Sequence, residues 1–198
     1  MKPLVLLALA AVAALLCLDG PYETGGEPDD AGRVLRQSEH AMVLFERGHF
    51  AEAKAAFATV RLEFTQILGP RNPATLSSRN NFAAVLYAMG DYAGAESAQR
   101  TALMLREQVL GRLHPDALAS RHNLAVTLLS EGKFEDALKN ARMVESGRRH
   151  MLGRKSPEFK KAARLKKFIE GAMESSKDGN EVPRGGPSGL GGSSTGVA

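Results

Sequence analysis

Apolar residues recur along the middle of the chain at the three-to-four spacing of amphipathic helices, not at the alternation of strands. Leu76, Ala83, Leu86 and Met89 form one stripe that ends at Gly90, and Tyr92, Ala95, Ala98, Ala102, Leu105 and Val109 form the next. The pattern then starts again, with Leu124, Ala125 and Leu128 before Gly132 and Phe134, Ala137, Ala141 and Val144 after it. Its period is fixed: Gly48, Gly90 and Gly132 are 42 residues apart, as are Phe50, Tyr92 and Phe134, and Ala53, Ala95 and Ala137. The turns Leu68-Gly69-Pro70-Arg71-Asn72-Pro73, Leu110-Gly111-Arg112-Leu113-His114-Pro115 and Leu152-Gly153-Arg154-Lys155-Ser156-Pro157 keep the same beat. Such a period marks a stacked array of helix-turn-helix units, each burying its face against its neighbours.

Local chemistry agrees with that division. Asp30, Asn72, His114 and Ser156 occupy one register position. Asp, Asn and Ser there are good N-caps, and the proline that follows the last three fits a first helical position, where its missing N–H is not needed. Asp30 thus predicts the first helix start, and His114 reads as a turn residue. The glycines before each second helix suit a helix end that requires positive φ. Small side chains at Ala53, Ala95 and Ala137 let paired helices approach closely.

A last helix begins at Pro157 and carries Phe159, Ala162, Ala163, Phe168, Ile169, Ala172 and Met173 on one side. Lys166-Lys167 stands where the earlier units have Phe82-Ala83 and Leu124-Ala125, so its outer face is charged. An array needs such an end, and residues 157–174 are read as a capping helix.

The stretch from Leu68 to Leu129 carries Leu-Gly, x-Pro, Asn-x-Ala and Gly-x-aromatic-x-x-Ala in matching places, and with these residues the chain resembles a tetratricopeptide array of the 42-residue, kinesin-light-chain-like kind. The resemblance covers about residues 31–174. It implies an all-α, right-handed solenoid of about three helix-turn-helix repeats plus the C-terminal cap, whose first helices line a concave groove for extended peptides or partner helices. There are departures: Glu39 and His40 in the first unit, Gln99 in the place of Phe57, and Gly147 in mid-helix, a cost of ~1 kcal/mol relative to Ala.

An extended ligand needs partners for its backbone amides, and Asn or His side chains one repeat apart on the groove face supply them. Asn80, Asn81, His122 and Asn123 stand in those places, with Tyr87 and Leu129 among the lining positions. Asn81 and Asn123 are equally suited to bonding neighbouring helices within the array, and some lining positions to the core. The Lys and Arg with which the family grips a terminal carboxylate are missing from these positions, which disfavours an acidic C-terminal peptide.

The flanks differ in composition. Residues 1–18 hold one charge, Lys2, and then an apolar run too short for the roughly 20 residues of a bilayer span. A signal peptide is the first reading, a retained N-terminal anchor the second and lipidation at Cys17 a third, which places the protein in the secretory pathway or cell envelope. Residues 19–30 form an acidic Gly/Pro linker, and 175–198 a Gly/Ser-rich tail expected to be disordered.

Net charge is +4, from 26 basic against 22 acidic side chains, so the sum alone does not argue for nucleic acid. Its distribution does raise an alternative: Lys160, Lys161, Arg164, Lys166 and Lys167 crowd the last helix, which would suit an anionic membrane surface or a nucleic acid. No catalytic or metal site is expected. The five histidines are scattered, with no second His at i+4 and no Cys-x-x-Cys, and there is no phosphate loop or nucleophile elbow. The sequence thus describes a non-catalytic scaffold that needs no cofactor and binds a protein or peptide.

Overall fold

The computed structural model describes residues 28–177, and among them every regular element is a helix. In chain order these are α1 (Pro28–Glu46), α2 (Phe50–Leu68), α3 (Pro73–Ala88), α4 (Tyr92–Leu110), α5 (Pro115–Ser130), α6 (Phe134–Leu152) and α7 (Pro157–Lys177). The leader, most of the acidic linker and the tail beyond 177 lie outside the described residues. Two ends differ from expectation. The first helix begins at Pro28 rather than at Asp30, with proline at a helix start and Asp30 paired to Arg33 at 3.7 Å within the first turns. The last runs on through Lys177 instead of stopping at 174.

The turns form as their residues dictate. Asn72 Oδ1 accepts from the Ala74 N–H at 2.9 Å and Ser156 Oγ from the Phe159 N–H at 3.1 Å. His114 does more than turn the chain: its Nδ1 accepts from the Asp116 N–H at 3.1 Å, so an imidazole caps α5 where asparagine caps α3. Gly111 and Gly132, at φ +88° and +76°, end α4 and follow α5 in the left-handed region that side chains avoid.

The chain divides into two compact units, residues up to 89 and from 90 onward. In the first, α2 packs between α1 and α3. Val34, Val60, Phe64 and Ala74 form one core cluster; Ala41, Ala53, Phe57 and Val85 form a second, flanked by Phe45 and Phe50 with ring centroids 5.6 Å apart. Thr75 closes the α2–α3 joint by donating to the carbonyls of Phe64 and Gly69. In the second unit successive helices α4 to α7 pack in turn, around Leu124, Leu128, Val144, Leu165 and Ile169. Ala95 and Ala137 are fully buried, as close helix approach requires.

Gly147 also has its reason here. A Cβ built on it would come within 2.8 Å of Leu118 Cδ2 and 3.4 Å of Leu113 Cδ2, so α6 presses against α5 at the one residue without a side chain.

Candidate functional site

Proline at the start of α3 and of α5 sets the phase of both first helices, and with it the direction of each predicted site residue. On α3, Asn80, Asn81 and Tyr87 are all half-buried. Asn80 and Tyr87 are engaged by the protein itself, whereas the Asn81 amide makes no hydrogen bond to any described residue. Next to Asn81 in sequence, the Phe82 ring has the Arg61 guanidinium 5.3 Å from its centroid. Arg79 stands beside it, its pKa lowered by burial and then by the Arg61 charge. The Nε atoms of both arginines are buried without an acceptor.

On α5 the four predicted positions part company. Asn123 is half-buried and engaged within the protein, but His122 and Leu129 are closed in, at 3% and 4% exposure. The cause is helical geometry: neighbours such as 122 and 123 point about 100° apart, while 122 and 129 are two turns apart and share a face. That face turns inward, so His122 and Leu129 line the interior of the second unit rather than an open surface. Neither ring nitrogen of His122 has a hydrogen-bond partner. Burial first, then the charges of Arg148 and Lys161, hold its pKa down to about 3, so the imidazole is neutral at physiological pH.

Other polar groups of the second unit are spent on holding helices together. Arg121 on α5 donates to Glu107 on α4 and, at 3.1 Å, to Asn140 Oδ1 on α6. Arg106 Nη1 donates to Ser120 Oγ at 2.7 Å and to the Asp116 carbonyl at 3.3 Å. Gln99, in the place of an aromatic, is buried with its Oε1 unpaired. On α7 the basic run does not form one open stripe. Lys166 binds Glu145 at 2.9 Å and Lys161 is half-buried, which leaves Lys160, Arg164 and Lys167 more open to solvent. Among the described residues no three or more His, Cys, Asp or Glu side chains gather as a metal site would require, and no helix is long and apolar enough to cross a membrane.

The helix-turn-helix repeats with their glycine turns and buried alanines match the family model of the tetratricopeptide repeat over residues 30–108 and 78–149. The chain belongs to the tetratricopeptide repeat family. Its fold is also similar to that of two crystal structures from Podosopora anserina, of the nearly identical TPR-like repeats of a protein assigned as a kinesin light chain, one of them carrying a single substitution. Each aligns with a TM-score of 0.65 and 21% identity over 73% of this chain, covering 70% of the substituted chain and 71% of the other. No curated protein matches significantly. The repeat array is therefore of the kinesin-light-chain-like type in fold, and tetratricopeptide repeats as a class mediate protein–protein contacts.

Proposed function

We propose that this tetratricopeptide repeat protein is a non-catalytic scaffold that binds an extended peptide or partner helix along the first helices of its repeats. One observation carries the reading: the Asn81 amide, half-buried on α3, keeps its donors and acceptor unspent within the protein. Amides of this kind meet the backbone of an extended chain, which offers one N–H and one C=O per residue. Tyr87, six residues on, adds a rigid amphipathic ring of the sort enriched where proteins bind proteins. In the second unit Asn123 is the corresponding residue, while His122 and Leu129 are buried and take no part in the contact.

The test is selection of peptides from a random display library with the full chain, followed by titration of the selected peptides against Asn81→Ala. Loss of one neutral hydrogen bond predicts weakening of about three- to tenfold, more if the partner group is left buried. Circular dichroism of the variant separates lost contact from lost fold. If no peptide is enriched, or if Asn81→Ala binds undiminished while Lys160→Gln/Lys167→Gln does not, the first-helix face is not the binding surface.

A further inference from the structure

In the second unit Arg121, Lys133, Arg142 and Lys166 each pair with a carboxylate across a helix joint, and Arg148 and Lys161 do not. Arg148 on α6 makes a single side-chain hydrogen bond, from Nη1 to the Glu158 carbonyl at 3.1 Å, and no carboxylate among the described residues lies within ion-pair distance of it. Lys161, three residues beyond Glu158 on α7, is half-buried and makes neither a hydrogen bond nor an ion pair with a described residue. The preceding repeat shows what is absent. Arg106, one 42-residue period before Arg148, binds the carbonyl of Asp116, the equivalent of Glu158, and then closes on Ser120 Oγ. One period after Ser120 stands Ala162, so Arg148 retains the carbonyl and loses the hydroxyl. His122 on α5 lies within reach of the charge of both cations, and its two ring nitrogens are buried and unpartnered.

We propose that Arg148 and Lys161, over the buried ring of His122, form a receptor for a phosphate monoester group. A guanidinium fork, an ammonium and an imidazole N–H come from three helices packed against one another, with Arg148 anchored on the first turn of α7 one turn before Lys161, and all three can donate. Their combined charge suits an ion of about −1.5 to −2, which a phosphate monoester carries at pH 7 and a single carboxylate does not. Among the described residues the acid that faces the cluster is Glu158, which is exposed and acts on Arg148 through its longer-range field. The electrostatics favour an anion here: burial lowers the pKa of Arg148, Lys161 and His122 alike, and Arg148 lowers that of the other two further. The two cations repel one another and keep the neutral His122 ring from taking up a proton until an anion joins them.

This inference does not depend on the peptide-binding reading, because the probes are small molecules. The full chain is titrated with inorganic phosphate, O-phosphoserine and acetate at constant ionic strength, with the thermal midpoint and the His122 ring resonances as readouts. Phosphate and O-phosphoserine should raise the midpoint, shift the ring resonances and move the titration of His122 upward, while acetate does neither. Lys161→Gln should keep or raise the ligand-free midpoint, since it relieves repulsion, yet weaken phosphate binding by about tenfold or more. Lys161→Arg and Lys160→Gln should still bind. Tighter binding of a phosphoserine peptide than of inorganic phosphate would identify a phosphorylated polypeptide as the source, and equal binding the free ion. Unmoved His122 resonances in the unaltered chain, an undiminished response in Lys161→Gln, or acetate as effective as phosphate would overturn the assignment.

Discussion

Lys133 Nζ lies 2.6 Å from Glu96 Oε2, a bond that joins α4 to the turn between α5 and α6 across 37 residues of sequence. Glu96 also accepts from Arg100 Nε at 2.6 Å, and Lys133 reaches Glu131 at 3.2 Å. The lysine bond is the main reason that the Glu96 carboxyl is held at about 2, with the Arg100 bond adding to it against the opposing effect of burial. Burial and then the Glu96 neighbour push the Glu131 carboxyl the other way, upward.

Lys133→Met should therefore raise the carboxyl titration of both Glu96 and Glu131, followed by carbon NMR. Because the folded pKa of Glu96 is depressed, its stabilising contribution is present above the ordinary value of 4.5 and is lost as pH falls toward 2. The variant should flatten that acid limb of stability. An unchanged Glu96 titration would show that Arg100 alone sets it.

His122 produces a second acid limb at higher pH. The unfolded chain takes up a proton near 6.5 and the folded one only near 3, so stability falls as pH falls between these values. The slope reaches about 1.4 kcal/mol per pH unit for one proton. Urea unfolding at pH 7 and pH 5 should show a clear loss in the parent chain and a smaller one in His122→Gln. Parallel losses would mean that the ring is hydrated in the folded state.

Two helical glycines should respond oppositely to alanine. At Gly171 the added Cβ meets nothing within 4 Å, so Gly171→Ala should stabilise by about 0.5–1 kcal/mol through helix propensity. At Gly147 the same gain is set against overpacking of ~1–3 kcal/mol on Leu118, itself buried, and the sum should be neutral to destabilising. Denaturant midpoints of the two variants measure the difference, and equal stabilisation would show that Leu118 simply changes rotamer.

The period, the helix starts at Pro73, Pro115 and Pro157 and the glycine turns are legible in the sequence because each is a local property that recurs. What a side chain meets across a joint is not local. Gly147 reads in sequence as a propensity defect and in the structure as room for Leu118. His114 offers no standard capping signal, yet its Nδ1 accepts as Asn72 Oδ1 does. Asn81 and His122 look alike as polar residues midway along a first helix, but they differ by one step around the helix within the repeat. That step leaves the amide unspent and buries the ring. The Arg148–Lys161 pair spans two helices, and its lysine is hidden within a basic run whose other members are more exposed or paired.

Arg106 with Ser120, and Glu107 with Arg121, make the α4–α5 joint a lock with its own key. One period on, the two key positions hold Ala162 and Ala163. A chain lacking residues 115–156 would keep the beat of 42, but α4 would then meet α7 with Arg106 facing a methyl group and Glu107 without Arg121, left with Arg112 at 3.8 Å. Recombination between these repeats, by slippage of the gene or by design, is thus penalised at the joint even though it is permitted by the frame: the units share a length and are not interchangeable parts.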